Sequence, residues 1–168
     1  MAKRDIVIIP EPILKTVSEP VAAVTDATRA LFDDMLETMY AAPGIGLAAV
    51  QVGVAQRLVT MDVAGEDEER QPLFFANPVI TWKSEETREY EEGCLSIPDI
   101  FEKVTRPSEV KVSFLDYHGK PQELHCTGLL ATCIQHEIDH LDGVLFIDHI
   151  SRLKRERVVK KFLKAAKR

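Results

Sequence analysis

Cysteine is scarce: the 168 residues hold three, an odd number and too few for a disulfide framework. A reducing compartment is the simpler setting, with the thiols free for packing, metal binding or catalysis. Long apolar runs are also missing. None approaches the roughly 18 residues that cross a bilayer, so no membrane partner is expected. The first ten residues carry two bases but only four consecutive apolar side chains before Pro10. That is too short for a signal-peptide core and unlike an Arg/Ser-rich transit peptide, so a cytoplasmic chain is expected. Repeats and low-complexity segments are absent as well. With 45% hydrophobic and 29% charged residues, the composition is that of an ordinary globular chain, and the length suits one domain, 1–168.

Charge is unevenly spread. The net charge is −6, yet 152–168 holds nine bases and one acid, Glu156, for +8, and the remaining 151 residues carry −14. An acidic body with a basic tail suggests contact with an anionic surface. The plainer alternative is a solvated helix face ending in frayed lysines, and charge alone slightly favours it.

Apolar spacing predicts a helix over 26–42, with Leu31, Met35 and Met39 at i, i+4, i+8, capped by Thr25 or Asp26 and stopped by Pro43-Gly44. The Gly-punctuated stretch 44–53 reads as a buried loop or edge segment. Strand-like runs cover 57–63, 73–81, 86–91 and 110–117, with a short one at 122–126. Helical periodicity returns over 129–141, with Gly143 as its stop. Ser151 caps a last helix whose inner side carries Leu153, Val158 or Val159, Phe162 and Leu163. Short antiparallel strands with a few helices and no βαβ alternation indicate an α+β fold, built around the 129–141 helix and ending in a C-terminal helix, about 151–167.

That central helix contains His136-Glu137-Ile138-Asp139-His140, the pattern His-Glu-x-x-His. Positions i and i+4 stack one turn apart, about 6 Å along the axis, so two imidazoles can share one tetrahedral metal. The Glu between them stands beside the ion without binding it, placed to take a proton from water. A third ligand is needed. A His ten residues after the first would supply it in one protease class, but that position is Phe146. A downstream Glu serves in another, but the only one after His140 is Glu156, inside the basic stretch. The upstream candidates are Cys94, Cys126, Cys133, His118 and His125. Cys133, three residues before His136, shares its face and reads as a lining residue rather than a ligand. Cys94, between Gly93 and Pro98 at a strand end, is a plausible thiolate mount. His118 and His125 read as surface or structural. Two imidazoles and one thiolate would leave a coordination position open, as catalytic metals require.

Three segments, Gly44-Ile45-Gly46-Leu47-Ala48-Ala49-Val50-Gln51, Glu92-Gly93-Cys94-Leu95-Ser96 and Gln135-His136-Glu137-Ile138-Asp139-His140, resemble in order and spacing the three signature motifs of peptide deformylases, and the C-terminal helix is similar to that of the bacterial type-1 group. The resemblance implies that Cys94, His136 and His140 bind one metal, Fe(2+), replaceable by zinc, nickel or cobalt. It implies that Glu137 is the general base and acid, and that the Gln51 amide and Leu95 N–H face the formyl oxygen. The substrate would be the N-formyl group on the first methionine of a nascent polypeptide, with formate released. Leu129, Thr132, Cys133 and His136 fall at i, i+3, i+4, i+7, and with Ile45 and Tyr90 they resemble the pocket for the methionine side chain, flanked by Gly44, Gly46, Glu92 and Gly93. Without the resemblance, the same stripe reads as ordinary core.

Many relatives carry an arginine seven residues after the metal-binding Cys; here that residue is Phe101, while Arg106 is kept. Two other readings of the metal helix remain at this point: a zinc endopeptidase and a non-catalytic metal-binding module. The basic tail, similar to tails in the family, is expected to dock on ribosomal RNA near the exit of the nascent chain. The chain is expected to act as a monomer.

Overall fold

Leu31, Phe32, Met35 and Met39 are all buried on one face of a helix at Asp26–Ala41 (α1), as their spacing requires. Of the two proposed caps, Thr25 serves. Its hydroxyl accepts from the Thr28 N–H while the Thr28 hydroxyl accepts from the Thr25 N–H, a reciprocal capping box. The computed structural model describes residues 2–166.

Seven strands follow: β1 (Gly46–Ala48), β2 (Leu58–Met61), β3 (Leu73–Lys83), β4 (Thr87–Cys94), β5 (Ile97–Pro107), β6 (Glu109–Leu115) and β7 (Pro121–Thr127). Five form an antiparallel sheet in the order β1-β2-β3-β6-β7, and β4 with β5 forms a separate two-stranded ribbon. The α+β class is as expected. The strand β5 was not legible in the sequence. Pro98 and Pro107 bracket it, and Asp99, Glu102, Lys103 and Arg106 interrupt its apolar alternation, because both faces of a two-stranded ribbon are partly wet. Segment 44–53 is an edge strand followed by a 3-10 turn, Ala49–Val52.

The second helix, Gly128–Leu141 (α2), lies against the five-stranded sheet. Ile134, Ile138 and Leu141 share one core with Val59, Met61, Phe75, Val110 and Val112. Burying a side chain such as Ile134 or Leu141 contributes about 1.5–3 kcal/mol, so the helix that carries the chemistry is anchored by its own apolar face. Its C-terminal end is tied to β2: the Arg57 guanidinium donates to the Leu141 carbonyl at 3.0 Å and pairs with Asp142 at 3.1 Å. Gly143 then turns the chain with φ +75°, and a Cβ there would lie 2.6 Å from the Lys15 carbonyl oxygen.

The last helix, Arg152–Ala166 (α3), starts where the Ser151 hydroxyl accepts from the Lys154 N–H at 3.2 Å. Val158, Val159 and Phe162 join Ile97, Val104, Leu145, Phe146 and Ile147 in a second core. Leu153, expected on that inner side, is instead 67% exposed. Five residues separate it from Val158, which places it about 140° away around the helix. Lys167 and Arg168, the end of the basic stretch, lie outside the described residues.

Candidate active site

α2 presents His136 and His140 one turn apart, with ring centroids 5.0 Å from each other. β4 ends at Cys94, whose Sγ lies 3.3 Å from His140 Nε2. One ligand atom from each of these three residues falls within 4.8 Å of the others. Cys94 is therefore the upstream residue that meets the histidines. Cys126 is buried in the core on β7, His118 is exposed, His125 pairs with Glu109 at 2.9 Å, and Glu156 pairs with Arg152 at 3.0 Å.

The hairpin between β4 and β5 aims the sulfur. Gly93 pairs with Phe101 but Cys94 pairs with Ile97, so Pro98, Asp99 and Ile100 bulge out of β5. The tight connection lets the Ser96 N–H donate to Sγ at 3.4 Å. Gln51 Nε2 stands 3.6 Å from the same sulfur and donates to the Ser96 hydroxyl at 3.1 Å. The other end of that amide, Oε1, accepts from the Ala48 N–H at 2.9 Å, which fixes which way it points.

His136 is held from behind. Its Nδ1 is 3.0 Å from Glu92 Oε1, which leaves Nε2 for an ion. Glu92 in turn accepts two bonds from Arg106, Nε at 2.7 Å and a terminal nitrogen at 2.9 Å. The remaining Arg106 nitrogen donates to Asp139 at 2.7 Å, and the same Asp139 oxygen lies 2.7 Å from His149 Nε2. Phe146 stacks on the His136 ring with centroids 5.9 Å apart. Burial alone would raise the Glu92 carboxyl, but bonds from His136 and Arg106 outweigh it and hold the group below the usual carboxylate range. Glu92 thus borders the cavity, but its carboxylate is committed to His136 and Arg106.

Sequence reasoning missed this supporting layer of Arg106, Asp139, Phe146, His149 and Ser96. Asp139 lay inside the quoted motif, three residues after His136, and was the available signal. Arg106 reaches Glu92 only through the β4–β5 pairing, which the sequence did not reveal.

Glu137 is 4% exposed, and its Oε1 has no hydrogen-bond partner among the described residues. Its other oxygen faces the bare Cα of Gly46. Burial, with a smaller push from the Glu92 charge and against the pull of His136, raises this carboxyl to about 7. For His140, burial and the neighbouring His136 charge lower the proton affinity well below the imidazole range, so the ring is neutral and ready to bind a metal. For His136, burial opposes protonation, but Cys94, Glu137 and Glu92 outweigh it and pull the group well above that range. A metal taking Nε2 would displace that proton. The donor set itself fits a metal: a soft thiolate and two imidazoles converge, and an unpartnered carboxylate oxygen stands next to them.

A cavity of about 620 Å³ opens onto this cluster. The expected Gly44, Ile45, Gly46, Tyr90, Glu92, Gly93, Leu129, Thr132 and Cys133 all border it, as do Gln51, Leu95 and Glu137. Cys133 is part of the wall, with its Sγ 3.8 Å from the Ile45 carbonyl oxygen. Among the described residues, β1 pairs only with β2 and β4 only with β5, so each strand has an unpaired edge, and both strands border the cavity.

A family described as polypeptide deformylase matches residues 3–156. A peptide deformylase of Phenylobacterium zucineum (strain HLK1) is 59% identical over 167 residues, covering 99% of this chain and 99% of its own. Among solved structures, the peptide deformylase of Ehrlichia chaffeensis superposes with a TM-score of 0.94 at 40% identity, over 99% of this chain and 98% of that one. A second structure from that organism, in complex with actinonin, gives 0.93 at 42% identity, over 98% of each chain.

Proposed function

Since the chain belongs to the peptide deformylase family, it is a metal-dependent hydrolase that removes the N-formyl group from newly made polypeptides, and we propose that Cys94, His136 and His140 hold its metal while Glu137 moves the proton. The observation that carries this assignment is the convergence of one sulfur and two ring nitrogens within 4.8 Å, beside a buried carboxylate oxygen with no partner among the described residues.

A divalent ion held there supplies Lewis acidity, polarising the formyl oxygen and acidifying water. Glu137 takes a proton from the water that adds to the formyl carbon. Its raised proton affinity suits a group that must accept near neutral pH and then give the proton up. As the carbon–nitrogen bond breaks, Glu137 delivers that proton to the departing amine. The products are formate and a free amino terminus. Negative charge that grows on the formyl oxygen is met by Gln51 Nε2 and the Leu95 N–H, and losing one such donor costs about 10²–10³ in rate.

The peptide lies extended between the unpaired edges of β1 and β4, both of which border the cavity. The methionine side chain enters between Leu129, Thr132 and Cys133 on α2 and Ile45 and Tyr90 opposite. The ion is Fe(2+), for which zinc, nickel or cobalt can stand in; a thiolate with two imidazoles suits several of these ions. Metal analysis of anaerobically purified protein tests that identity.

The enzyme works in the cytoplasm as a monomer on nascent chains. Among the described residues, no helix is long and apolar enough to cross a membrane. Exposed Lys154, Arg157, Lys160, Lys161 and Lys164 on α3 supply a basic face for ribosomal RNA near the exit tunnel. Deleting the last ten residues should weaken ribosome binding, and the intact chain's binding should fall steeply with salt. Unchanged affinity of the truncated chain rejects the docking role.

Formate release from formyl-Met-Ala-Ser tests the activity, and peptides cut at internal bonds would instead reveal an endopeptidase. Glu137→Gln should keep the metal and lose turnover. A fully active variant rejects the assigned base.

A further inference from the structure

A second cavity, of about 680 Å³, lies between residues 9–15, the 3-10 turn Phe146–His149 and α3. Ile9, Leu14, Leu145, Ile147, Val159 and Leu163 give it an apolar lining. No residue that lines it borders the catalytic cavity. Its size is that of a pocket for a small organic molecule.

The charges around it are unbalanced. Lys15 and Arg155 both reach the Asp148 carboxylate, at 2.9 and 3.6 Å, and that carboxylate also accepts from the Leu145 N–H at 2.8 Å. Glu156 is taken by Arg152 at 3.0 Å. Lys160 is exposed and in no ion pair among the described residues, and Glu11 is the other acid of the lining. The cations Lys15, Arg155 and Lys160 thus face only Asp148 and Glu11. An apolar chamber with a surplus cation suits an amphipathic anion, the charge fixing its orientation and the chain supplying contact.

The 3-10 turn is a wall shared with the metal centre. Residues three apart eclipse in such a turn. Leu145 and Asp148, with Ile147, line the second cavity. Phe146 and His149 face α2 instead, where the Phe146 ring stacks on His136 and His149 Nε2 lies 2.7 Å from Asp139. Ile9 makes a second link. Its N–H donates to the Ser96 carbonyl at 3.0 Å, and the Ser96 N–H donates to Cys94 Sγ. A molecule that fixes Ile9, Leu145 and Ile147 therefore steadies the supports of one ligand ring and of the sulfur.

We propose that this cavity is a second binding site, for a medium-chain alkyl carboxylate, and that its occupant braces the metal centre through the 3-10 turn. The alkyl chain covers the apolar lining, and the carboxylate is drawn by Arg155 and Lys160. The bracing rests on the ligand assignment made above; the site does not.

The test is a methyl NMR titration of the zinc-loaded chain with decanoate. Methyl signals of Ile9, Leu14, Ile147 and Leu163 should follow one saturable curve with a Kd of about 0.01–1 mM, while those of Ile45 and Leu129 in the catalytic cavity stay in place. Octanoate should bind more weakly, by about two- to fourfold per methylene lost. Decyltrimethylammonium should bind about tenfold more weakly than decanoate. Leu163→Glu, which sets a negative charge in the lining, should lose decanoate and keep full formate release from formyl-Met-Ala-Ser. Saturating decanoate should raise zinc affinity, measured against a competing chelator, about fivefold in the wild type and not in Leu163→Glu. No saturable shift below the micelle concentration, equal binding of decyltrimethylammonium, or shifts at Ile45 and Leu129 in place of Ile147 and Leu163 overturn the site. Unchanged zinc affinity at saturation overturns the bracing. Absent formate release by the zinc-loaded wild type overturns the deformylase reading instead, because the shifts and the zinc affinity are read without turnover.

Discussion

Glu92 accepts a hydrogen bond from His136 Nδ1 at 3.0 Å with the same carboxylate that Arg106 grips at 2.7 and 2.9 Å. One buried acid thus sets the tautomer and rotation of a ligand ring, and a buried cation holds the acid still. Glu92→Ala is expected to lower metal affinity by about 10–100-fold. Glu92→Gln, whose amide oxygen still accepts from Nδ1, should lose less. Metal retained against a competing chelator measures both, without reference to turnover.

Arg106 is 6% exposed and serves two carboxylates, Glu92 on β4 and Asp139 on α2. Removing the cation leaves the buried Glu92 carboxylate unpaired and facing the half-buried Asp139 carboxylate across the ribbon–helix junction. Arg106→Met should therefore destabilise the chain by about 3–5 kcal/mol. Arg106→Lys keeps the charge but lacks the planar fork that meets both acids, and should fall between. Urea denaturation at neutral pH gives the ordering.

The metal ligands could be read early because their chemistry is local. His136 and His140 depend only on helical spacing, and Cys94 was singled out by Gly93 and Pro98 around it. α1, α2 and most strands follow apolar period, so those elements appeared within a few residues of where they lie. What could not be read depends on pairing between distant segments. β5 has no clean alternation because its ribbon is wet on both faces, and without β5 there was no way to bring Arg106 to Glu92 or Phe101 over Gly93. Leu153 was misplaced for a different reason. An apolar residue in the first turn of a basic helix looks inward on composition, but its angle from Val158 turns it to solvent.

Gly46 is required by what lies against it rather than by its backbone angles. A Cβ there would meet the Glu137 carboxylate and come 2.8 Å from Cys133 Sγ. Gly46→Ala should push the Glu137 carboxylate out of line and lower kcat by about 10²-fold, the effect of roughly an ångström of misplacement. The midpoint of thermal unfolding should move little, since the added methyl also removes backbone freedom from the unfolded chain. Formate release and a melt of the same preparation separate the two effects. A large fall in stability would instead make Gly46 a packing residue.

The buried Glu137 carboxyl makes the metal-free chain sensitive to pH. Burial lifts it from an ordinary 4.5 to about 7. A carboxyl raised on folding stabilises the folded chain fully where it is protonated in both states, below about 4.5, and that contribution is lost as pH rises through about 7. Glu137→Gln stays neutral throughout and escapes the loss. Urea midpoints of the two metal-free proteins should therefore lie near each other at about pH 4.5, with the variant gaining steadily on the wild type up to about pH 8. Metal loading sets a cation beside the carboxylate, lowers its proton affinity and should narrow the gap at the alkaline end. A gap that does not change with pH in the metal-free proteins would mean that the carboxylate is not desolvated as the structure places it.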